Sequence, residues 1–143
     1  MKKRLLPILL LAFGCAHITS DIQPGDAEPA IRRMAAEFAE AANNGNVDGM
    51  MAIYASDAVL LPPGAPEMRG RAAIKQFWSG LLAAKPHVVL HTTDVIQSGD
   101  MATEVGRYEL TVGGKTENGK YALTWRRGNG EWRAVVDIFN ASQ

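Results

Sequence analysis

Around Lys85-Pro86 the periodicity of this chain changes, and one class of secondary structure cannot satisfy both halves. Before that point apolar residues recur at three- and four-residue spacing: Ile31, Met34, Ala35, Phe38 and Ala42, then Val47, Met50, Met51 and Tyr54, then Ile74, Phe77, Trp78, Leu81 and Leu82. Such spacing lines one face of a helix. After it, apolar and polar residues alternate over four runs, about His87 to Gln97, Met101 to Val112, Lys120 to Arg127 and Glu131 to Asn140. Ser98-Gly99-Asp100, Gly113-Gly114 and Gly128-Asn129-Gly130 supply the turns between them. Three helices followed by a four-stranded antiparallel meander predict an α+β domain, with the helices on one face of a curved sheet.

Local signals set the boundaries. Asp26 is placed to cap the first helix, with Glu28 and Pro29 in its first turn, and Asn43-Asn44-Gly45 ends it. Asn46 caps a shorter second helix, with Asp48 near the positive end of its dipole. A strand-like Ala58-Val59-Leu60-Leu61 is broken by Pro62-Pro63-Gly64-Ala65-Pro66, and the third helix runs from about Arg71 to the stop at Lys85-Pro86. At 143 residues and 47% hydrophobic, with no internal repeat, the chain has material for one domain.

The N-terminus reads as an address. Lys2-Lys3-Arg4 precedes a short apolar run from Leu5 to Phe13, too short to span a bilayer. Ala12-Phe13-Gly14-Cys15 resembles the bacterial lipobox, so residues 1–15 are expected to be a signal peptide and Cys15 a lipidation site. An ordinary secretory cleavage after Ala16 is the alternative. Residues 16–26 then form a tether and residues 27–143 the folded domain, exported to the bacterial cell envelope (periplasm) and touching membrane only through the lipid. Cys15 is the single cysteine, which leaves the domain no intrachain disulfide and no cysteine metal site. Without the three basic residues of the leader, twelve basic side chains face fifteen acidic ones, no footprint for nucleic acid.

One carboxylate stands out. In Trp132-Arg133-Ala134-Val135-Val136-Asp137-Ile138-Phe139-Asn140, strict alternation puts Val135, Asp137 and Phe139 on one face and Trp132, Ala134, Val136 and Ile138 on the other. Asp137 therefore points into apolar surroundings and needs a partner, a ligand or a proton.

Three stretches together resemble the SnoaL-like branch of the nuclear-transport-factor-2-like, cystatin-fold superfamily. They are Asn44-Gly45-Asn46-Val47-Asp48 running on to Tyr54-Ala55-Ser56-Asp57-Ala58-Val59-Leu60-Leu61-Pro62; Arg69-Gly70-Arg71-Ala72-Ala73-Ile74-Lys75-Gln76-Phe77-Trp78; and Gly119-Lys120-Tyr121-Ala122-Leu123-Thr124-Trp125-Arg126 through Asp137-Ile138-Phe139-Asn140. The resemblance implies a cone, its sheet curled around the helices, with an internal pocket lined by Tyr54, Leu61, Trp78, His91, Tyr108, Thr124, Asp137 and Phe139. It does not imply one chemistry, because the fold hosts isomerases, dehydratases, cyclases, binding modules and assembly domains. Against ketosteroid isomerase, the positions of the carboxylate base, the tyrosine and the protonated aspartic acid fall at Pro62, Phe38 and about Ala122, none of which carries the group.

The expected function is binding of a small, largely apolar molecule in the cone. An isomerase, dehydratase or hydrolase using Asp137 and His91, with Tyr108 or Tyr54 as a donor, is the alternative. A third reading is an assembly module. Both faces of the last two strands carry apolar residues, which predicts a homodimer through the outer sheet face. No metal is expected, since His87 and His91 on one strand stand about 13 Å apart and His17 falls in the tether. The chain carries no phosphate-cradling glycine loop or cofactor fingerprint, so no cofactor is expected either.

Overall fold

The protein is described here by a computed structural model covering residues 25–142. The expected signal peptide 1–15, Cys15 and all of the tether but residues 25 and 26 lie outside the described residues. Three helices, α1 (Ala27–Asn43), α2 (Val47–Met51) and α3 (Gly70–Leu82), accompany six strands, β1 (Tyr54–Leu61), β2 (Met68–Arg69), β3 (His87–Ser98), β4 (Met101–Val112), β5 (Lys115–Gly128) and β6 (Glu131–Ala141). The strands form one sheet in the order β2-β1-β6-β5-β4-β3.

The expected four-stranded antiparallel sheet is thus a six-stranded mixed one. The meander β3 to β6 is antiparallel, and β1 joins it by lying parallel to β6, with the two-residue β2 on its far side. Parallel neighbours far apart in sequence need no turn between them and leave no local signature. Strand β5 also begins earlier than expected, because Gly113 and Gly114 both take positive φ and close a two-residue turn that pairs Val112 with Lys115 at once.

Asp26 does not cap α1. Its own backbone is already helical and its side chain makes no capping bond. The side chain instead accepts from Arg127 at 2.6 Å. The first helical N–H, that of Ala27, is taken by Gln97 Oε1 of β3 at 3.1 Å, so a strand side chain does the work of a cap. Asn46 does cap α2, accepting from the Gly49 N–H at 3.0 Å. At its other end α1 is fastened to β3 by Asn43, whose amide accepts from the Val88 N–H at 2.7 Å and donates to the Val88 carbonyl at 2.9 Å. Helix α1 packs along β3 and α3 along β1, and the core between helices and sheet holds Ile31, Met50, Met51, Tyr54, Leu60, Ile74 and Trp125, each fully buried.

Strict alternation fails at one place in β6. Val136 pairs with Thr124 but Ala134 pairs with Trp125, so Val135 is an extra residue, a bulge. Trp132 and Ala134 are therefore buried, like Asp137 beyond the bulge, and not on the opposite face. Without that extra residue a single strand could not bury both ends of this segment on one side.

Two glycines set the spacing on the concave face. Gly106 of β4 pairs with Tyr121 of β5, and Gly119 of β5 pairs with Tyr108 of β4. Each tyrosine ring lies where the Cβ of the opposite glycine would be. The absence of those Cβ atoms lets both rings fold flat across the neighbouring strand. Gly106→Ala is expected to push Tyr121 off its seat and cost about 1–3 kcal/mol, the usual range for overpacking. Chemical denaturation measures it, and a stability within about 0.5 kcal/mol of the parent, the ordinary scatter of surface changes, would refute this account.

Candidate functional site

Between the helices and the concave face of the sheet lies a cavity of about 90 Å³. Phe38 of α1, Met50 of α2, Trp78 and Leu81 of α3, and Val88 and Leu90 of β3 form one side of it. Strands β4, β5 and β6 contribute Tyr108, Leu110, Tyr121, Leu123, Trp125 and Phe139. The wall holds two carboxyl groups, Glu104 and Asp137, and no lysine, arginine or histidine.

Tyr54 is what holds Asp137. It opens β1, and Arg71 of α3 fixes its backbone by donating to the carbonyls of Met51 at 2.8 Å and Tyr54 at 2.7 Å. The Tyr54 hydroxyl then donates to Asp137 Oδ2 at 2.6 Å and accepts from Trp78 Nε1 at 3.1 Å. Three elements, α3, β1 and β6, meet in this chain of hydrogen bonds. Asp137 Oδ1 receives no hydrogen bond among the described residues. Burial raises the Asp137 carboxyl from its ordinary 3.8 to about 7; the Tyr54 hydrogen bond pulls it down, and the negative charge of Glu104 pushes it up. The Tyr54 hydroxyl is held well above its ordinary value, by burial first and then by the neighbouring Asp137 charge.

Glu104 differs in kind. It is 1% exposed, yet both oxygens are occupied. Thr92 Oγ1 donates to Oε1 at 2.6 Å, the Tyr121 hydroxyl to the same atom at 2.9 Å, and Trp125 Nε1 to Oε2 at 3.1 Å. Burial raises its carboxyl above the ordinary range, while these three donors and the more distant Arg32 charge act in the opposite direction. Glu104 is not among the residues that the sequence pattern above singles out, although a signal for it exists. Counting back from Tyr108 in steps of two gives Gly106, Glu104 and Ala102, all buried.

Of the residues expected to line the pocket, Trp78, Tyr108, Asp137 and Phe139 do so, and Tyr54 stands directly behind Asp137. Leu61, His91 and Thr124 lie elsewhere. Leu61 pairs with the exposed Ile138, and it is the preceding Leu60 that pairs with Asp137 and is fully buried. Thr124 sits between Leu123 and Trp125, both of which line the cavity, and so faces the opposite side of β5. His91 occupies the outward phase of β3, exposed beside Glu109 at 3.5 Å, while its neighbours Val88 and Leu90 point inward. The inward face of β3 is one residue out of phase with the expected one, and the acid–base pair Asp137 with His91 does not form.

Aromatic rings cluster on the cavity wall around Phe139. It stacks on Trp78 with centroids 5.9 Å apart and an interplanar angle of 21°, and meets Tyr108 edge-on at 6.0 Å. Among the described residues no three histidine, cysteine, aspartate or glutamate side chains converge as a metal site would require.

The Asp137 carboxyl makes stability depend on pH. Its folded value of about 7 lies above the unfolded 3.8, so the folded state holds the proton more tightly. The resulting stabilisation is complete below about pH 4 and disappears as pH rises through 7. This group alone is expected to lower stability by about 4 kcal/mol across that window. Asp137→Asn cannot ionise and should flatten that part of the profile. Denaturation midpoints at pH 5 and pH 8 measure it, and an equal slope in the parent and Asp137→Asn would contradict the assignment.

The fold and part of the sequence are shared with known proteins. A family model described as a SnoaL-like domain matches residues 35–140. No curated protein matches the chain. Among solved structures, a ketosteroid isomerase-like protein from Erwinia carotovora atroseptica is 19% identical, with a TM-score of 0.73 over 83% of this chain and 98% of that one. A domain of unknown function with a cystatin-like fold from Nostoc punctiforme is 17% identical, with a TM-score of 0.74 over 81% of this chain and 77% of that one. An NTF2-like protein with a cystatin-like fold from Novosphingobium aromaticivorans is 24% identical, with a TM-score of 0.69 over 78% of this chain and 79% of that one. At these identities the solved structures speak for the fold alone, and the match over residues 35–140 decides the family: the chain belongs to the SnoaL-like domain family.

Proposed function

We propose that the domain binds a small, largely apolar molecule in the cavity between its helices and sheet, with Asp137 as the polar anchor. The observation that carries this reading is the single unoccupied carboxylate oxygen in an apolar, aromatic-walled cavity. Ligand sites commonly combine apolar walls with a few placed polar groups, and Asp137 Oδ1, which has no donor among the described residues and is not sealed off as an unpaired buried atom, is a place for a ligand donor. Tyr54 and Trp78 orient the carboxyl, so that a bound molecule finds it in one position.

A second reading, proton transfer to or from the bound molecule in isomerase, dehydratase or hydrolase chemistry, draws on the Asp137 carboxyl at about 7, where it can both give and take a proton. His91 has no part in it. Under that reading Asp137→Asn stops turnover, whereas under the binding reading it changes affinity.

Two further features complete the proposal. The outer sheet face exposes Ile96, Val105 and Ile138, at 66%, 36% and 46%, in a region where Leu61, Ala122 and Val136 also face away from the cavity. That apolar surface supports pairing of two copies through their sheets. The N-terminal pattern supports export to the cell envelope with a lipid on Cys15.

Native mass spectrometry of protein purified from its own envelope is expected to show a dimer retaining a small molecule. Ala35→Phe, which fills the cavity from α1, should lose that molecule and keep the dimer. A parent protein that is empty, and that shows no stabilisation across a broad thermal-shift library, would reject the binding reading, and a monomer would reject the dimer. Growth with a labelled fatty acid is expected to mark the parent protein and not Cys15→Ser. An unlabelled parent would return Cys15 to a discarded signal peptide.

A further inference from the structure

Glu104 and Asp137 together give the cavity a charge character that apolar binding alone leaves unused. Every group in its wall able to carry charge at neutral pH is acidic, and no lysine, arginine or histidine offsets them. Glu104 spends its oxygens on Thr92, Tyr121 and Trp125, so it is no docking point, but it adds negative potential. Asp137 is 6% exposed and its Oδ1 lacks a donor. Trp78, Tyr108 and Phe139 line the same cavity as Asp137, and the faces of such rings attract cations.

Building on the binding reading, we propose that the cavity selects a small hydrophobic amine, its protonated nitrogen hydrogen-bonded to Asp137 Oδ1 and its apolar body among the aromatic rings. An anion would meet two like charges in a poorly screened site. A neutral alcohol could donate to Oδ1 but would leave the carboxylate charge uncompensated. An ammonium does both jobs, and its charge favours the ionised form of Asp137. The cavity, about 90 Å³ and open on one side, is smaller than an engineered cavity of about 150 Å³ known to take benzene, so it encloses only part of a ring-bearing amine and the rest stands in its open side.

Binding of an amine should therefore follow ionisation of Asp137. The titratable groups lining the cavity with it are Glu104 and Tyr108 from β4 and Tyr121 from β5, with Tyr54 of β1 behind it; the helices contribute none. The three tyrosines are all shifted upward by burial and stay neutral across the working range. Below about pH 7 amine affinity should fall about tenfold per pH unit, as one competing proton requires.

The test is calorimetric titration of the full chain with four probes of matched size: benzylamine, benzyl alcohol, toluene and benzoate. At pH 8 benzylamine is expected to bind at least about tenfold more tightly than benzyl alcohol or toluene, and benzoate not at all; a tenfold preference corresponds to about 1.4 kcal/mol. Asp137→Asn should erase the preference while toluene binding persists, and Glu104→Gln should reduce it by a smaller factor. If Asp137→Asn does not fold, the pH series on the parent protein decides in its place. Equal affinity for benzylamine and toluene, or an amine affinity flat from pH 8 to pH 5.5, overturns amine selection and leaves the apolar-binding reading standing. Failure of all four probes to bind folded parent protein overturns both.

Discussion

The hydrogen bond from Tyr54 to Asp137 is the contact on which the rest of the site depends, because it joins the parts of the chain that local signals do not bring together. Strand β1 reaches β6 by parallel pairing across some eighty residues of sequence, and such pairing recovers its loop-closure entropy only through contacts made at the end. Tyr54 supplies one of those contacts, and its acceptance from Trp78 extends the tie to α3. Arg71 fixes the same corner from the backbone side. The 2.6 Å hydrogen bond to a carboxylate is short, in the range of the stronger, charge-assisted kind, but it satisfies only half of a group that burial strongly disfavours in its charged form. The result is a rigidly held carboxyl that is half-satisfied and able to change protonation near neutral pH.

The two buried acids show how environment separates chemically similar side chains. Both are desolvated, and desolvation is the largest influence on each. Glu104 is surrounded by three donors from β3 and β5, which fasten it and make it a joint between neighbouring strands. Asp137 has one donor. Satisfied polar networks stiffen a core, whereas a desolvated carboxyl with a single donor leaves part of its burial cost uncompensated. Two such groups on one cavity wall therefore differ in role: Glu104 ties neighbouring strands together there, and Asp137 keeps one oxygen without a donor among the described residues.

How much of this was legible in the sequence follows from the range of each interaction. Helices α1 and α3 and the meander were readable because their signals, period and turn glycines, lie within a few residues. The role of β1 was not, because its partner β6 is remote and the pairing is parallel. The burial of Trp132 was missed because an extra residue at Val135 inverts the phase of alternation, and nothing in the residues themselves marks a bulge. Asp137 was legible as a carboxylate amid apolar neighbours. For His91 and Leu61 the period of two was correct and the face was not, since alternation fixes which residues share a side and leaves open which side is inward. That choice rests on partners across the sheet: Leu90 with Tyr108, Leu123 with Asp137 and Leu60 with Asp137.

The same reasoning explains why membership of the family does not carry a reaction with it. In the comparison with ketosteroid isomerase, the functional positions fall at Pro62, Phe38 and about Ala122. In this protein Phe38 is a wall of the cavity, and Ala122 lies on the outer face of β5 between the inward Tyr121 and Leu123. The polar groups come from other places: the first residue of β1, the middle of β4 and the part of β6 beyond its bulge. A sheet that presents alternate residues of several strands to one cavity offers many positions for a carboxyl, and each has its own neighbours and depth. Moving the acid from one strand to another changes the donors that meet it, and with them its proton affinity and the direction from which a ligand can approach. The fold thus fixes where the cavity lies, and under the proposed binding reading the placement of Asp137 beside Tyr54, on the same wall as Glu104, decides what a ligand must offer.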